Sequence, residues 1–297
     1  MAFFVEVLVG GLLAGVMYAL VALGFVLIYK ASGVFNFAQG AMVFFAALTF
    51  VSLVERGLHF GLALAITLAV MVLLGIVTER VVLRPLVNQP PITLFMATIG
   101  LTFVLEGLSQ LVWGSQPHGL ELGIPDVPLE WLSKKANINI SQFDLIAALI
   151  AGILVTVLAL FFQKTRIGRA LRAVADDHQA ALSVGIPLQY IWAIVWAAAG
   201  FVALVAGLMW GARNGVQYAL TFVALKALPV LILGGFESVA GAIVGGLIIG
   251  ASEKLTEVYF GRLVGGGIES WFPYVLALVF LLFRPQGLFG EKIIERI

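Results

Sequence analysis

The sequence predicts an all-α fold of the polytopic integral membrane class, and three observations predict it. Hydrophobic residues make up 62% of the chain and charged residues only 11%, where an ordinary soluble domain carries roughly a quarter charged residues. Apolar runs of the roughly 18 to 20 residues that cross a bilayer core as helix recur through nearly the whole sequence. The mean hydropathy of +1.09 is more apolar surface than a soluble core of this length can bury.

Taken in order, the first run, near 5–29, has no basic residues ahead of it and carries Glu6 where a signal peptide carries Lys or Arg, so it reads as a retained helix. Further spans are expected near 36–54, 60–80, 92–113, 143–162, 188–211, 219–234, 239–258 and 271–283. The run at 219–234 is short and interrupted by Lys226 and Pro229, which leaves eight or nine transmembrane helices and points to a broken or partly re-entrant segment there.

With nine crossings, Lys30, Arg80, Arg84, Lys164, Arg166, Arg169, Arg172, Arg284, Lys292 and Arg296 share one side, against Arg56, Lys134, Lys135, Arg213, Lys254 and Arg262 on the other. That asymmetry assigns the first side to the cytoplasm, with the N-terminus outside and the C-terminus cytoplasmic. Residues 1–297 then form a single transmembrane domain with two sizeable loops. The outer loop, about 114–142, is polar and rich in Pro and Gly, with Trp113 and Trp131 near its ends as interface anchors. The cytoplasmic loop covers about 163–187.

A segment from Gly33, G-V-F-N-F-A-Q-G-A-M-V, and one from Gly234, G-G-F-E-S-V-A-G-A-I-V, share Gly, Phe, Gly, Ala and Val at matched offsets. This is either a coincidence of residues common in membrane segments or the trace of an internal duplication. The stretches Gly10-Gly11-x-x-x-Gly15 and Gly241-x-x-x-Gly245-Gly246-x-x-x-Gly250 line one helix face with small residues and predict close helix packing.

Catalytic signatures are absent: there is no G-x-x-x-x-G-K-[ST], H-E-x-x-H or G-x-S-x-G. Zero cysteines exclude disulfides and thiolate metal sites, and a net charge of +1 argues against a nucleic acid partner. His59, His118 and His178 are too scattered for a metal site and read as solvated loop residues. Glu79, Glu106 and Lys226 are ionisable groups in or at the ends of spans, where a central charge costs about 2.5 to 3.5 kcal/mol on insertion scales. Glu79, beside Arg80 near a helix end, is expected to snorkel to the interface. For Glu106 and Lys226 two readings stay open, a structural interhelix pair and the wall of a wet pathway. Asn36 and Gln39, between Gly33 and Gly40, offer amides either to a polar solute or to helix ends.

In the cytoplasmic loop, Asp176 or Asp177 is placed to cap a short helix over about 178–184, Gly185 supplies a left-handed C′ residue and Pro187 stops the helix. Ala180 and Ala181 give that helix a small-residue surface, and Arg166, Arg169 and Arg172 hold the preceding segment at the anionic leaflet.

The loop pattern Arg172-Ala173-x-Ala175-x-Asp177-x-x-Ala180-Ala181-x-x-x-Gly185-Ile186 resembles the cytoplasmic coupling loop of branched-chain amino acid ABC transporter permeases, urea-type permeases included. Gly33-Val34-Phe35-Asn36-Phe37-Ala38-Gln39-Gly40 is similar to the family's N-F-A-H-G signature, Leu233-Gly234-Gly235-x-x-Ser238-x-x-Gly241-Ala242 to its late glycine motif, and Arg284-Pro285-x-Gly287-Leu288-Phe289-Gly290 to its C-terminal tail. The loop lengths resemble the H-type subunit more than the M-type. Gln39 departs from the pattern, standing where the family commonly has His, and an amide cannot take up a proton as imidazole does.

The resemblance implies a permease subunit of an importer in a bacterial or archaeal cytoplasmic (inner) membrane. Its implied partners are a second permease, two cytoplasmic ATPases that hold ATP and Mg, and an extracytoplasmic solute-binding protein, with no cofactor on this chain. It implies ATPase coupling through Arg172, Ala175, Asp176, Asp177, Ala180, Ala181, Gly185 and Ile186, while Asn36, Gln39, Glu106 and Lys226 are candidates for the translocation path. The cargo is expected to be a branched-chain or other amino acid, with urea or an amide as the alternative. Two other classes are carried: an ion-coupled secondary transporter with Glu106 and Lys226 as a relay, and an intramembrane enzyme using Glu106, His178 and Lys226, which the expected topology separates.

Overall fold

The computed structural model describes residues 2–86, 89–176 and 178–290. Among these the fold is all helical, with two isolated β-bridges and no strands. Six helices are long and apolar enough to cross a membrane: α1 (Ala2–Ser32), α3 (Phe60–Val77, continued by further turns to Leu86), α4 (Pro91–Trp113), α6 (Gln142–Lys164), α9 (Leu188–Asn214) and α11 (Val239–Val264). Three shorter apolar helices accompany them: α2 (Gln39–Glu55), α10 (Val223–Gly234) after a 3₁₀ turn over Tyr218–Phe222, and α12 (Phe272–Phe283). The remaining helices are α5 (Glu130–Ala136), α7 (Arg166–Asp176) and α8 (His178–Ser183). All nine expected runs are helical, and the one expected to be interrupted holds Pro229 inside α10.

Contacts divide the helices into two compact units, one made from Met1–Ala22, Gly123–Thr156 and Leu225–Ile297, the other from Leu23–Leu122 and Val157–Ala224. In the first unit, α1 and α11 lie antiparallel with their backbones in contact. A Cβ on Gly15 would stand 2.5 Å from the Gly246 carbonyl oxygen, and one on Gly246 would stand 2.6 Å from that of Gly15. Gly11 and Gly250 meet the same way one turn along. Gly245 faces α10 instead, where a Cβ would lie 2.6 Å from the Val230 carbonyl oxygen. One glycine stripe therefore serves two neighbours, as small residues do where helices associate in lipid.

In the second unit α2 is buried from Gln39 through Phe44 and again through most of its length, packed by α3, α4 and α9. The α3–α9 contact again uses glycines: Gly75 lies against the Trp196–Ala197 peptide and Gly200 against the Met71 carbonyl. Trp192 Nε1 donates to the Ala31 carbonyl at 3.0 Å, satisfying one of the last-turn acceptors of α1. Outward faces of α3, α4, α6 and α12 carry Leu73, Phe103, Leu111, Ile153, Leu278 and Leu282, all more than half exposed. Such faces suit hydrocarbon rather than water.

Two expectations about charged residues are corrected. Glu79 does not reach an interface: it is 1% exposed and accepts both Arg84 Nε at 3.1 Å and Arg84 Nη2 at 3.0 Å. The helix widens into a π-helical stretch over Thr78–Leu83 before Pro85, which supplies the geometry for that pair. His118 is not simply solvated either, since its Nδ1 lies 2.9 Å from Glu55 Oε1, and His59 caps α3 by accepting the Gly61 N–H at 3.2 Å. Tail residues Lys292 and Arg296 lie outside the described residues.

Candidate functional site

The candidate residues fall into three groups. The first is the hairpin that follows α6. Gly168 sits on the Phe162 backbone so closely that any side chain there would clash, and Thr165 Oγ1 accepts the Gly168 N–H at 3.1 Å to start α7. Arg172 Nη1 and Nη2 donate to the Phe162 and Gln163 carbonyls at 2.7 and 3.2 Å, filling acceptors left open at the C-terminal end of α6. Arg172 thus fastens the hairpin, a role its sequence position beside Arg166 and Arg169 did not reveal.

Beyond α7, helix α8 ends as expected. Gly185, at φ +85°, donates to Leu182 O and Ile186 N donates to Ala181 O, which together make a Schellman closure. Asp177 lies outside the described residues, while Asp176 is exposed at the end of α7 and Ala175 is half-buried. The structure separates the two alanines: Ala180 is exposed and Ala181 is 2% exposed. Leu182 and Val184, 53% and 78% exposed, extend the accessible face of α8, two apolar positions the sequence reading passed over.

The second group surrounds Asn36 and Gln39, both fully buried. Asn36 Oδ1 accepts the Ala38 N–H at 3.1 Å and turns the chain into α2, its Nδ2 donates to Gln39 Oε1 at 3.2 Å, and Gln39 Nε2 donates to the Ala199 carbonyl at 3.4 Å. Thr98 Oγ1 joins the same region, accepting from Phe37 N at 3.2 Å. Within this unit Glu106, 8% exposed on α4, accepts Tyr218 Oη at 3.2 Å. A separate groove of about 550 Å³ runs between α3 and α9, walled by Val72, Ile76, Ala193 and Ala197, and holds none of the expected path residues.

The third group lies in the other unit. Lys226 Nζ donates to Glu253 Oε1 at 3.2 Å and stands 6.0 Å from the centre of the Tyr18 ring, while Tyr18 Oη donates to the same Oε1 at 3.0 Å. Glu253 and Tyr18 are each 2% exposed, but the Lys226 side chain is 39% exposed. Side chains on helices lean toward their own N-termini, so on antiparallel α1 and α11 those of Tyr18 and Glu253 converge. Their helical register held the signal, since Tyr18 continues the stripe of Gly11 and Gly15, and Glu253 that of Gly246 and Gly250. Beside them Tyr274 Oη donates to the Leu225 carbonyl at 2.8 Å, the acceptor that Pro229 has no N–H to satisfy.

Residues 7–284 match the model of a family described as branched-chain amino acid transport system / permease component. The chain is 28% identical over 305 residues to the high-affinity branched-chain amino acid transport system permease protein BraD of Pseudomonas aeruginosa, covering 99% of this chain and 98% of BraD. It is 25% identical over 310 residues to LivH of Salmonella typhimurium, covering 99% and 98%. With the probable permease LivH of Methanocaldococcus jannaschii it shares 28% identity over 301 residues, 96% of this chain and 92% of that protein.

Proposed function

Because the chain belongs to the family of branched-chain amino acid transport system permease components, we propose that it is the H-type permease subunit of an ATP-driven importer for branched-chain or closely related amino acids. The observation that carries this reading is the similarity to BraD and LivH along essentially the whole chain. The chain is a transport subunit, and work on the solute is powered by partners: two cytoplasmic ATPases with ATP and Mg, a second permease, and an extracytoplasmic binding protein that delivers the cargo. Nine crossings of a bacterial or archaeal inner membrane put the α7–α8 hairpin in the cytoplasm and the N-terminus outside. The antiparallel course of α1 and α11, the first and eighth crossings, supports that parity.

In this reading α8 docks in a groove of an ATPase through Ala180, Leu182 and Val184, with Asp176, Asp177 and Ile186 flanking it. Arg172, Ala175, Ala181 and Gly185 keep the hairpin in shape behind that face. Closure of the ATPase pair on nucleotide then moves the helices to which the hairpin is fastened, switching access from one side to the other. Asn36, Gln39 and Glu106 are proposed as polar groups along the path, which a permease served by a binding protein can keep narrow and weakly binding.

The test is co-purification from mild detergent followed by uptake into proteoliposomes. A stoichiometric ATPase, a second permease and ATP-dependent leucine uptake are the expected result. Uptake that survives ATP depletion and collapses with the proton gradient would overturn it. Ala180→Arg is expected to leave insertion intact and reduce ATP-driven uptake at least about tenfold, since a buried unpaired charge in a docked interface costs a few kcal/mol. Wild-type uptake by that variant removes α8 from the coupling surface.

A further inference from the structure

Lys226, Glu253 and Tyr18 form a charged cluster at a depth where lipid tolerates none. Tyr18 is near the middle of α1 and Glu253 near the middle of α11, both full-length spans, so the cluster lies within the apolar layer and away from its edges. A charge exposed to hydrocarbon there is costly. The Lys226 side chain is nevertheless 39% exposed, while the carboxylate it touches is 2% exposed. Acyl chains cannot meet that open side without that cost, so in the assembled importer a polar surface, of the path or of the partner permease, has to lie in front of it. Glu253 is a positioning group hidden behind the lysine.

We propose that Lys226 is the binding site for the α-carboxylate of the transported amino acid. An ammonium group has three N–H donors; one is used by Glu253 Oε1. Tyr18 Oη donates to that same oxygen and so fixes the carboxylate against the lysine. The remaining donors point to the open side, where an incoming carboxylate meets a charge-assisted hydrogen bond from a side chain already fixed in place. One such contact is weak enough to release its cargo, which a permease requires and a storage site does not.

The local helix is built for the same purpose. A 3₁₀ turn over Tyr218–Phe222 precedes α10 and Pro229 interrupts its hydrogen bonding, so Lys226 lies on a short discontinuous helix, the type of element that forms midplane solute sites in transporters. The Tyr274 hydroxyl, by occupying the Leu225 carbonyl next to Lys226, keeps that irregular backbone satisfied. The inference rests on the amino acid permease reading and adds the group of the cargo that is recognised and the atom that recognises it.

The test is ATP-driven leucine uptake by the complete transporter with its binding protein in proteoliposomes. Lys226→Met alone strands a buried carboxylate and loses uptake on any account. The double variant Lys226→Met/Glu253→Gln removes both charges. A carboxylate site predicts that this variant, purified as an assembled complex, still takes up leucine about tenfold to a hundredfold more slowly than wild type. Recovery to within about twofold of wild type shows that the lysine serves only to neutralise Glu253 and overturns the site.

Restoring the charge gives a second reading. Lys226→Cys/Glu253→Gln carries the sole cysteine in this otherwise cysteine-free chain, and its modification by a methanethiosulfonate ethylammonium, followed as a mass shift on this subunit, puts an ammonium back near the lysine's place with no carboxylate beside it to neutralise. Leucine uptake is expected to rise severalfold on that modification; uptake unchanged or lowered overturns the site. A wild-type transporter that moves urea under ATP but no amino acid overturns the amino acid reading on which the site rests, an outcome separate from a wild type that moves leucine with Lys226 uninvolved.

Discussion

Glu79 and Arg84 are five residues apart, a spacing at which side chains on an α-helix point about 140° away from each other. The π-helical stretch over Thr78–Leu83 changes the angle and lets the guanidinium close on the carboxylate from two nitrogens. Arg84→Ala is expected to destabilise the fold by about 2 kcal/mol, less than the roughly 3 to 5 for a fully buried pair because the Arg84 side chain is 37% exposed. Denaturation in detergent measures it, with Glu79→Gln/Arg84→Met recovering most of the loss; an Arg84→Ala protein as stable as wild type would show that the pair contributes nothing. At this scale the sequence marked Glu79, Glu106 and Lys226 as costly charges in or beside apolar runs, but it expected Glu79 at an interface and left Glu106 and Lys226 open between a structural pair and a wet pathway. Which partners they take was hidden. Lys226 meets Glu253 from another helix, and the polar look of Ser252-Glu253-Lys254 made a span interior resemble a span end.

Among the elements, the long spans follow closely from hydropathy, since length and apolarity alone specify a membrane helix. Those near 239–258 and 188–211 extend further, to Val264 and Asn214, because their last turns carry polar side chains that hydropathy discounts. The glycine stripes were legible as packing faces, but not which glycine meets which helix. Gly10 has open space where a Cβ would go, while Gly11, Gly15, Gly246 and Gly250 have backbone. Gly246→Leu is therefore expected to abolish the folded, detergent-stable protein, and Gly10→Ala to shift its melting temperature by no more than about 2 °C. Equal behaviour of the two on size-exclusion chromatography would contradict the packing described. The matched segments from Gly33 and Gly234 acquire physical content as well. Each follows the end of a helix and leads into the start of another, α2 or α11, and the matched glycines Gly40 and Gly241 each press directly on a neighbouring carbonyl, of Thr221 and Gly234.

For the molecule as a whole, three of the apolar helices are shorter than the usual bilayer requirement, α2, Tyr218–Gly234 and α12, and the side on which α11 ends turns on the second of them. The absence of native cysteine makes the question accessible. With nine crossings, Ser183→Cys is expected to react with an impermeant maleimide only after the membrane is opened, and Val264→Cys from outside without opening. Both shielded in intact cells would mean that the Tyr218–Gly234 segment turns back and eight helices cross. The fold class and the α8 hairpin were readable because both depend on local pattern; the cluster of Lys226, Glu253 and Tyr18 was not, because it joins residues from three separate stretches of chain. The α1–α11 seam also has a mechanical side. Peptide groups there interlock at Gly11, Gly15, Gly246 and Gly250, so the two helices mesh like gear teeth, and a slip along the seam drives the side chains that flank those glycines into the opposite backbone. Small strokes within that unit must be taken up by a softer member, and the interrupted α10, carrying Lys226, is the one whose ladder is already broken.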